Sequence, residues 1–186
     1  MKIRCFIAIN LPDQVKEELA KIINQLKKKN SNWSINYVKP ESLHLTLHFL
    51  GSIDENQIET AKKIIKDTVV NFQIFGLETG DFLAFPNLNN PRVLFIESAG
   101  ETKAAAAIQK IMGDKLSNAG FFLESRVWKP HLTLARIKAP VKLILDEIKL
   151  PILKFSVSSV ELMKSQLSRN GSVYSVLASY NLNYEN

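Results

Sequence analysis

The sequence predicts an α+β fold made of two similar lobes that are related by an approximate two-fold axis. Strands and helices are expected in the order strand, helix, strand, and then helix, strands, strand. The tetrapeptide His-Leu-Thr-Leu ends both series, at 44–47 and at 131–134. Such recurrence favours two lobes, each with a mainly antiparallel sheet, that line a central cleft and carry their helices outside. Because no low-complexity linker separates the halves, we expect residues 1–186 to form one bilobal domain.

A first strand is predicted at the start of the chain, where apolar residues alternate with other types. Ile3, Cys5 and Ile7 lie on one face, which we assign to the core. Arg4 and Phe6 lie on the opposite face, toward solvent or a cleft. The single cysteine, Cys5, cannot form an internal disulfide and is expected to be a buried, inert thiol.

Helices are predicted where apolar residues recur at helical spacing. The first covers 15–26 and follows Pro12 and Asp13, the second is opened by Gly51 and Asp54 and runs to residue 69, and the third covers 104–116 with Gly120 as its stop. A short fourth helix is predicted over 141–148.

Further strands are predicted from alternating or continuous apolar runs. A run at 155–167 and another at 173–182 are interpreted as a hairpin around Arg169-Asn170-Gly171. The remaining predicted strands cover 43–50, 72–85, 93–96 and 121–137.

The repeated tetrapeptide carries the candidate chemistry, because the whole chain has only three histidines. Residues two apart on a strand share a face, so His44 and Thr46 project together, as do His131 and Thr133. In-line displacement at phosphorus needs a base and an acid on opposite sides, and imidazole suits both roles near neutral pH. The pattern therefore predicts a phosphodiester-cleaving cleft in which the threonine hydroxyls donate to phosphoryl oxygens.

The third histidine, His48, has the strand parity of His44 and prompts a metal-site hypothesis. A zinc site needs at least three clustered ligands, and neither Cys5 nor a carboxylate at a recognisable spacing completes one. We therefore expect no metal and no cofactor, and we interpret His48 as a surface or cleft-edge residue.

The net charge of +6 raises the local concentration of polyanions such as RNA. Part of this charge, including Lys27, Lys28 and Lys29, is explained by a solvated helix end. No apolar run reaches the roughly eighteen residues that a membrane-spanning helix needs, and the first residues lack a cleavage signal. A cytoplasmic protein that does not engage a membrane is expected.

Several segments of the chain resemble a known family, the two-histidine phosphoesterases and in particular the RNA 2',3'-cyclic phosphodiesterases, also called 2'-5' RNA ligases. The two signature motifs are similar to Pro-Glu-Ser-Leu-His-Leu-Thr-Leu-His-Phe-Leu-Gly at 40–51 and Lys-Pro-His-Leu-Thr-Leu-Ala-Arg at 129–136. The resemblance extends to 4–9, 91–95 and 165–174, and so to nearly the whole chain.

The resemblance implies a bilobal enzyme that hydrolyses 2',3'-cyclic phosphate to 2'-phosphate without a metal. No obligate protein partner is implied, and we expect a monomer. The resemblance further implies that His44 is the proton donor and His131 the base, an order that the residues alone do not determine. It also implies a phosphate contact for Arg136, although strict alternation places Arg136 on the face opposite His131. Arg4 and Phe6 have the parity to meet the RNA backbone and to stack on a base.

Two other functions fit the same residues. A 2'-5' RNA ligase would join tRNA halves through the reverse chemistry, and a nucleotide- or RNA-binding module would keep the cleft without turnover. Small cyclic substrates such as ADP-ribose cyclic phosphate would use the same histidine pair.

Overall fold

The computed structural model describes residues 2–168 and 171–184. This part of the chain holds nine strands and three α-helices, and a single 3₁₀ turn at Pro40–Ser42 precedes the third strand. In chain order the elements are β1 (Ile3–Asn10), α1 (Asp13–Lys29), β2 (Ile35–Tyr37), β3 (His44–Ile53), α2 (Glu55–Val69), β4 (Phe75–Phe85), β5 (Val93–Gly100), α3 (Thr102–Asn118), β6 (His131–Ile137), β7 (Lys154–Val157), β8 (Ser159–Ser168) and β9 (Gly171–Asn181).

The strands form one sheet in the order β7-β4-β5-β6-β3-β1-β8-β9, with β2 added to β6. Every pairing between these strands is antiparallel. The two central strands, β3 and β6, are paired only through Leu45 and Leu132. This narrow junction divides the sheet into a half of five strands, which includes β2, and a half of four strands. The strand that carries each His-Leu-Thr-Leu motif lies beside the junction. The expected α+β fold with two related lobes is confirmed. The two sheets that were predicted, one in each lobe, join into one continuous sheet.

The helices cover one face of the sheet and share one hydrophobic core with it. Ile7 of β1, Leu132 of β6, Leu19 of α1, Ile65 of α2 and Ile108 of α3 all belong to that core and are fully buried. The other face of the sheet carries His44 and His131, and we call it the cleft face. Among the described residues, no helix combines the length and the apolar character needed to cross a membrane.

The three long helices agree with the sequence patterns, with one difference at the start of α2. Asp54 forms a capping box with Gln57, which satisfies backbone N–H groups in the first turn. Gly51 does not open this helix but lies inside β3, at a positive φ of 71°. A β-bulge opposite Cys5 accounts for this conformation, which glycine adopts without strain. Gly120, with a φ of 85°, follows α3 as expected.

Residues 121–130 do not form the strand that was predicted for them, since β6 begins only at His131. Phe122 and Val127 are 97% and 87% exposed, so the apolar pattern is not matched by burial. Pro130 lacks a backbone N–H and cannot donate to a strand ladder. The predicted strand over 121–137 is therefore wrong in its first ten residues.

The helix predicted over 141–148 is also wrong, because this segment is irregular. Val141 and Ile148 are buried, so the segment still packs on the core. The buried side chain of Asn30 accepts from the Ile144 N–H at 2.8 Å and donates to the Ile144 carbonyl at 3.2 Å. These hydrogen bonds satisfy backbone groups that a helix would otherwise have paired.

The apolar run at 155–167 forms two strands rather than one. β7 pairs with β4 at one edge of the sheet, whereas β8 pairs with β1 and β9 near the other edge. The break falls at Ser158, whose carbonyl accepts from the Leu182 N–H at 2.8 Å. The pairing of β8 with β9 is the expected hairpin, and its turn residues Arg169 and Asn170 lie outside the described part of the chain.

Candidate active site

Each motif histidine begins a central strand and is held by the same local hydrogen bond. The Nδ1 of His44 lies 2.7 Å from the Ser42 carbonyl, and the Nδ1 of His131 lies 2.7 Å from the Lys129 carbonyl. A carbonyl oxygen only accepts, so Nδ1 carries the hydrogen in both rings. The Nε2 of each ring is therefore the nitrogen that remains for acid-base chemistry.

Matching β-bulges follow the threonine in both motifs. In β3, Ala8 pairs with Thr46 but Ile7 pairs with His48, so one extra residue, Leu47, is inserted. In β6, Phe95 pairs with Thr133 but Leu94 pairs with Ala135, and the extra residue there is Leu134. A bulge reverses the alternation of every residue after it.

The bulge in β6 places Arg136 on the cleft face. Arg136 pairs with Val93, two residues beyond Phe95, and so shares the face of Thr133 and His131. Its side chain is exposed, and its positive charge is close enough to lower the pKa of His44. Strict alternation would place Arg136 on the face opposite His131, but the bulge breaks that alternation.

The bulge in β3 turns His48 away from the cleft, so the prediction of a surface or cleft-edge position is wrong. Its Nε2 lies 2.7 Å from the Gln109 carbonyl of α3, and only 8% of the residue is exposed. Burial lowers the pKa of His48, an effect that this hydrogen bond partly opposes. Gly113 allows the close approach, because a Cβ at that position would lie 2.8 Å from the imidazole Cε1.

Two aromatic rings flank each motif histidine. Phe6 and Tyr174 lie with their ring centroids 4.8 and 5.3 Å from that of His44. Phe95 and Phe85 lie 5.1 and 5.4 Å from His131. These contacts fix the orientation of the imidazoles and limit their exposure to water. Tyr174, Phe85 and Phe95 were not predicted from the sequence, because their proximity to the histidines depends on cross-strand pairing such as that of Phe95 with Thr133.

The two N-terminal candidates differ in their placement. Phe6 is only 3% exposed and packs against His44, so it supports that ring and offers no open face to a base. The predicted stacking role of Phe6 is therefore corrected to a supporting one. Arg4 shares the strand face of Phe6 and is exposed, and its contact with RNA stays a prediction.

The surroundings of His44 favour its neutral form in the ligand-free protein. Its pKa is lowered chiefly by burial, which disfavours the imidazolium ion. The hydrogen bond to the Ser42 carbonyl opposes this effect, while the charges of His131, Arg136 and Lys16 add to it. The negative charge of a bound phosphodiester would offset these positive charges.

Thr46 and Thr133 are half-buried on the cleft face, beside the two histidines. Across the described ranges, no three side chains of His, Cys, Asp or Glu type cluster as metal ligands. Cys5 is buried on the core face, and burial raises the pKa of its thiol. The two motifs and Arg136 therefore bring imidazole, hydroxyl and guanidinium groups together on the cleft face.

The paired imidazoles on adjacent strands, each followed by a threonine and a bulge, define a two-histidine phosphoesterase. The family model of LigT-like phosphoesterases matches residues 9–95 and 96–174. The chain therefore belongs to the LigT-like phosphoesterase family.

Individual relatives agree with this membership. The chain is 34% identical to an RNA 2',3'-cyclic phosphodiesterase of Methanocaldococcus jannaschii, in an alignment that covers 94% of this chain and 98% of the relative. A Thermotoga maritima protein of the same name is 30% identical, with 94% and 92% covered. The crystal structure of Escherichia coli LigT with 3'-AMP superposes with a TM-score of 0.78 over 98% of this chain and 99% of that one. At 22% identity, this last likeness concerns the fold.

Proposed function

We propose that this protein is an RNA 2',3'-cyclic phosphodiesterase that opens the cyclic phosphate to a 2'-phosphomonoester without a metal ion. The observation that carries the proposal is the matched pair of histidines, His44 and His131, each with Nδ1 bound to a carbonyl and Nε2 left for a proton. Two such nitrogens at one phosphorus atom can supply the general base and the general acid that cleavage of a phosphodiester uses. The names of the two relatives support RNA with a 2',3'-cyclic phosphate as the substrate.

In the proposed reaction, the Nε2 of His131 accepts a proton from water while the water oxygen attacks phosphorus. The P–O3' bond breaks, and the leaving O3' takes a proton from the Nε2 of His44. The product is a 2'-phosphate with a free 3'-hydroxyl. Solvent then carries the proton from His131 back to His44, which restores the starting state.

Three further side chains would hold the charge that develops on the phosphoryl group. The hydroxyls of Thr46 and Thr133 would donate to the non-bridging oxygens, one from each lobe. The guanidinium of Arg136 would add a charge-assisted contact from the same strand as His131. Arg4 would meet the RNA backbone at the other end of the cleft.

The assignment of His44 as the acid requires its imidazole to be protonated in the substrate complex. Burial lowers the pKa of His44 in the ligand-free protein, whereas an acid must carry its proton when the substrate is bound. A phosphodiester anion between the two motifs favours the imidazolium form of His44 and so raises its pKa. Substrate binding would therefore prepare the acid for its role.

We also propose that residues 1–186 act as a single bilobal domain, as a monomer in the cytoplasm where RNA is processed. Support for one domain comes from the core, which includes residues of all three helices and of both sheet halves. Sedimentation equilibrium of the purified protein tests the monomer.

The proposal is tested with adenosine 2',3'-cyclic phosphate in the presence of excess EDTA. We expect turnover with 2'-AMP as the only product, since the 3'-oxygen is the leaving group. His44→Ala and His131→Ala serve as matched variants, and both should lose most activity. Thermal unfolding should show that both variants are folded. Release of 3'-AMP, loss of turnover that zinc restores, or binding of the nucleotide without turnover would each contradict the proposal.

A further inference from the structure

A pocket of about 200 Å³ opens beside His44 on the side away from the other lobe. It lies where the end of β1, the start of α1, the 3₁₀ turn and the middle of β9 meet. Its lining includes Asn10, Lys16, Glu41, Ser42 and Tyr174, in addition to His44 itself. Pockets for drug-sized ligands usually measure about 300–1,000 Å³, so this one suits a single nucleotide fragment rather than several nucleotides.

A buried carboxylate outside the lining holds Asn10, one of the residues that line the pocket, in place. Glu161 of β8 is only 4% exposed and accepts from the backbone N–H of Asn10 at 3.2 Å. The hydroxyl of Ser179 also donates to Glu161, at 3.0 Å. These bonds hold the last residue of β1 against the pocket and leave the amide side chain of Asn10 at its wall.

The direction of the reaction decides which part of the substrate faces this pocket. In-line displacement puts the attacking water and the leaving O3' on opposite sides of phosphorus. If His131 activates the water and His44 protonates O3', then the ribose lies on the His44 side. The nucleoside that carries the cyclic phosphate, and the chain that continues from its 5'-oxygen, are thereby directed toward the pocket.

Lys16 gives the pocket a positive charge that the proposed chemistry does not use. Its side chain is 19% exposed, and its described ionic partner, Asp13, is 95% exposed and 3.8 Å away. An exposed, distant carboxylate competes weakly for an ammonium group. Lys16 is also close enough to His44 to lower the pKa of that ring.

We propose that Lys16 binds the 5'-phosphate of the terminal nucleotide, and that this pocket thereby distinguishes RNA ends from unphosphorylated cyclic nucleosides. The inference rests on the proposed cyclic phosphodiesterase function and adds a second phosphate subsite to it. In an RNA strand, the 5'-phosphate of the last nucleotide is separated from its cyclic phosphate by one ribose. The ammonium of Lys16 meets it as a point charge.

The other polar residues of the pocket favour a nucleotide over a bare anion. Glu41 adds a negative charge to the lining, which opposes an isolated phosphate ion. A nucleoside brings hydroxyl and amino donors that a carboxylate and the Asn10 amide can accept. Tyr174 and His44 both line the pocket, and their rings are perpendicular at 90°.

The test compares two substrates that differ only in the 5'-phosphate: adenosine 2',3'-cyclic phosphate and the same compound phosphorylated on the 5'-oxygen. For the wild-type protein we expect the 5'-phosphorylated substrate to have a KM about tenfold lower. This ratio corresponds to the free energy that one charge-assisted hydrogen bond contributes. Lys16→Met keeps the aliphatic stem and removes the charge, so the ratio of the two KM values should fall to about one. Lys16→Arg should keep most of the preference, and added salt should weaken it.

A matched control is Lys21→Ala, which removes a lysine of the same helix that is paired with Glu18 at the surface. This variant should keep the wild-type ratio. A binding measurement that needs no turnover compares 2'-AMP with adenosine 2',5'-bisphosphate by calorimetry. It should show the same tenfold preference in the wild-type protein and no preference in Lys16→Met. Thermal unfolding confirms that each variant is folded.

The outcomes separate the two levels of the proposal. Cleavage of both substrates with equal KM, or a preference that survives in Lys16→Met, overturns the Lys16 subsite while the cyclic phosphodiesterase function stands. Cleavage of neither substrate overturns the function. Loss of the preference in Lys16→Met alone supports the subsite.

Discussion

The indole N–H of Trp128 donates to the backbone carbonyl of Thr46 at 2.9 Å. The segment that leads into the second histidine motif is thereby hydrogen-bonded to the strand of the first. A reciprocal bond joins the backbone N–H of Val38, which precedes the first motif, to the Leu134 carbonyl at 2.8 Å. Because β3 and β6 are paired only through Leu45 and Leu132, these two bonds help to set the separation of the strands that carry the motif histidines.

Replacing Trp128 with Phe should lower both stability and the rate of the chemical step. Phenylalanine keeps most of the packed ring but removes the donor, at a cost of about 1 kcal/mol in the free energy of unfolding. Because β3 is then less firmly held, we expect kcat to fall several-fold while KM changes little. Urea unfolding and steady-state kinetics measure the two effects. An unchanged kcat in a destabilised variant would make Trp128 a purely structural residue.

Replacing either motif histidine by Ala should lower the rate by roughly a hundredfold to ten-thousandfold, the usual range for a general acid or base. The double variant should be far less than multiplicatively worse, because His44 and His131 act as a unit.

A substrate with a thiolate in place of the 3'-oxygen leaving group assigns the roles of the two rings, since it needs no acid. His44→Ala should recover much of its rate on this substrate, whereas His131→Ala stays impaired. Recovery of His131→Ala instead would reverse the order of donor and acceptor.

The pH dependence should differ between kcat/KM and kcat. The first follows the free protein and the second follows the complex, and both should be bell-shaped because one ring must be protonated and the other neutral. Burial, reinforced by neighbouring cations, lowers the pKa of His44 in the free protein. The bound phosphate anion raises it, so the alkaline limb of kcat should lie at higher pH. Coincident limbs, or a monotonic profile over about pH 5 to 9, would count against this mechanism.

Gly113→Ala should destabilise the wild-type protein, although the same change in a helix normally stabilises by about 0.5–1 kcal/mol. The reason is the imidazole of His48, which a new Cβ would approach to 2.8 Å. In a His48→Ala background the obstacle is gone, and Gly113→Ala should then become stabilising. A double-mutant cycle of unfolding free energies measures this reversal. Additive effects of the two substitutions would show that His48 does not limit this position.

Much of the fold and the identity of the reacting groups could be predicted from local pattern. The alternation of Ile3, Cys5 and Ile7 predicted the core face of β1, and helical spacing predicted α1, α2 and α3. The segment at 141–148 failed because a distant residue, Asn30, satisfies the backbone of Ile144. Local spacing contains no information about such a partner.

The sequence by itself determined that His44, Thr46, His131 and Thr133 form two equivalent pairs, because strand parity and repetition are local properties. Only the tertiary structure decided the positions of the residues around them. The bulges after Thr46 and Thr133 bring Arg136 to the cleft face and turn His48 toward α3, against strict alternation. A bulge arises from the register between two strands, and Lys16 reaches the pocket beside His44 through packing of α1. Both depend on contacts between residues far apart in the chain, which periodicity cannot encode.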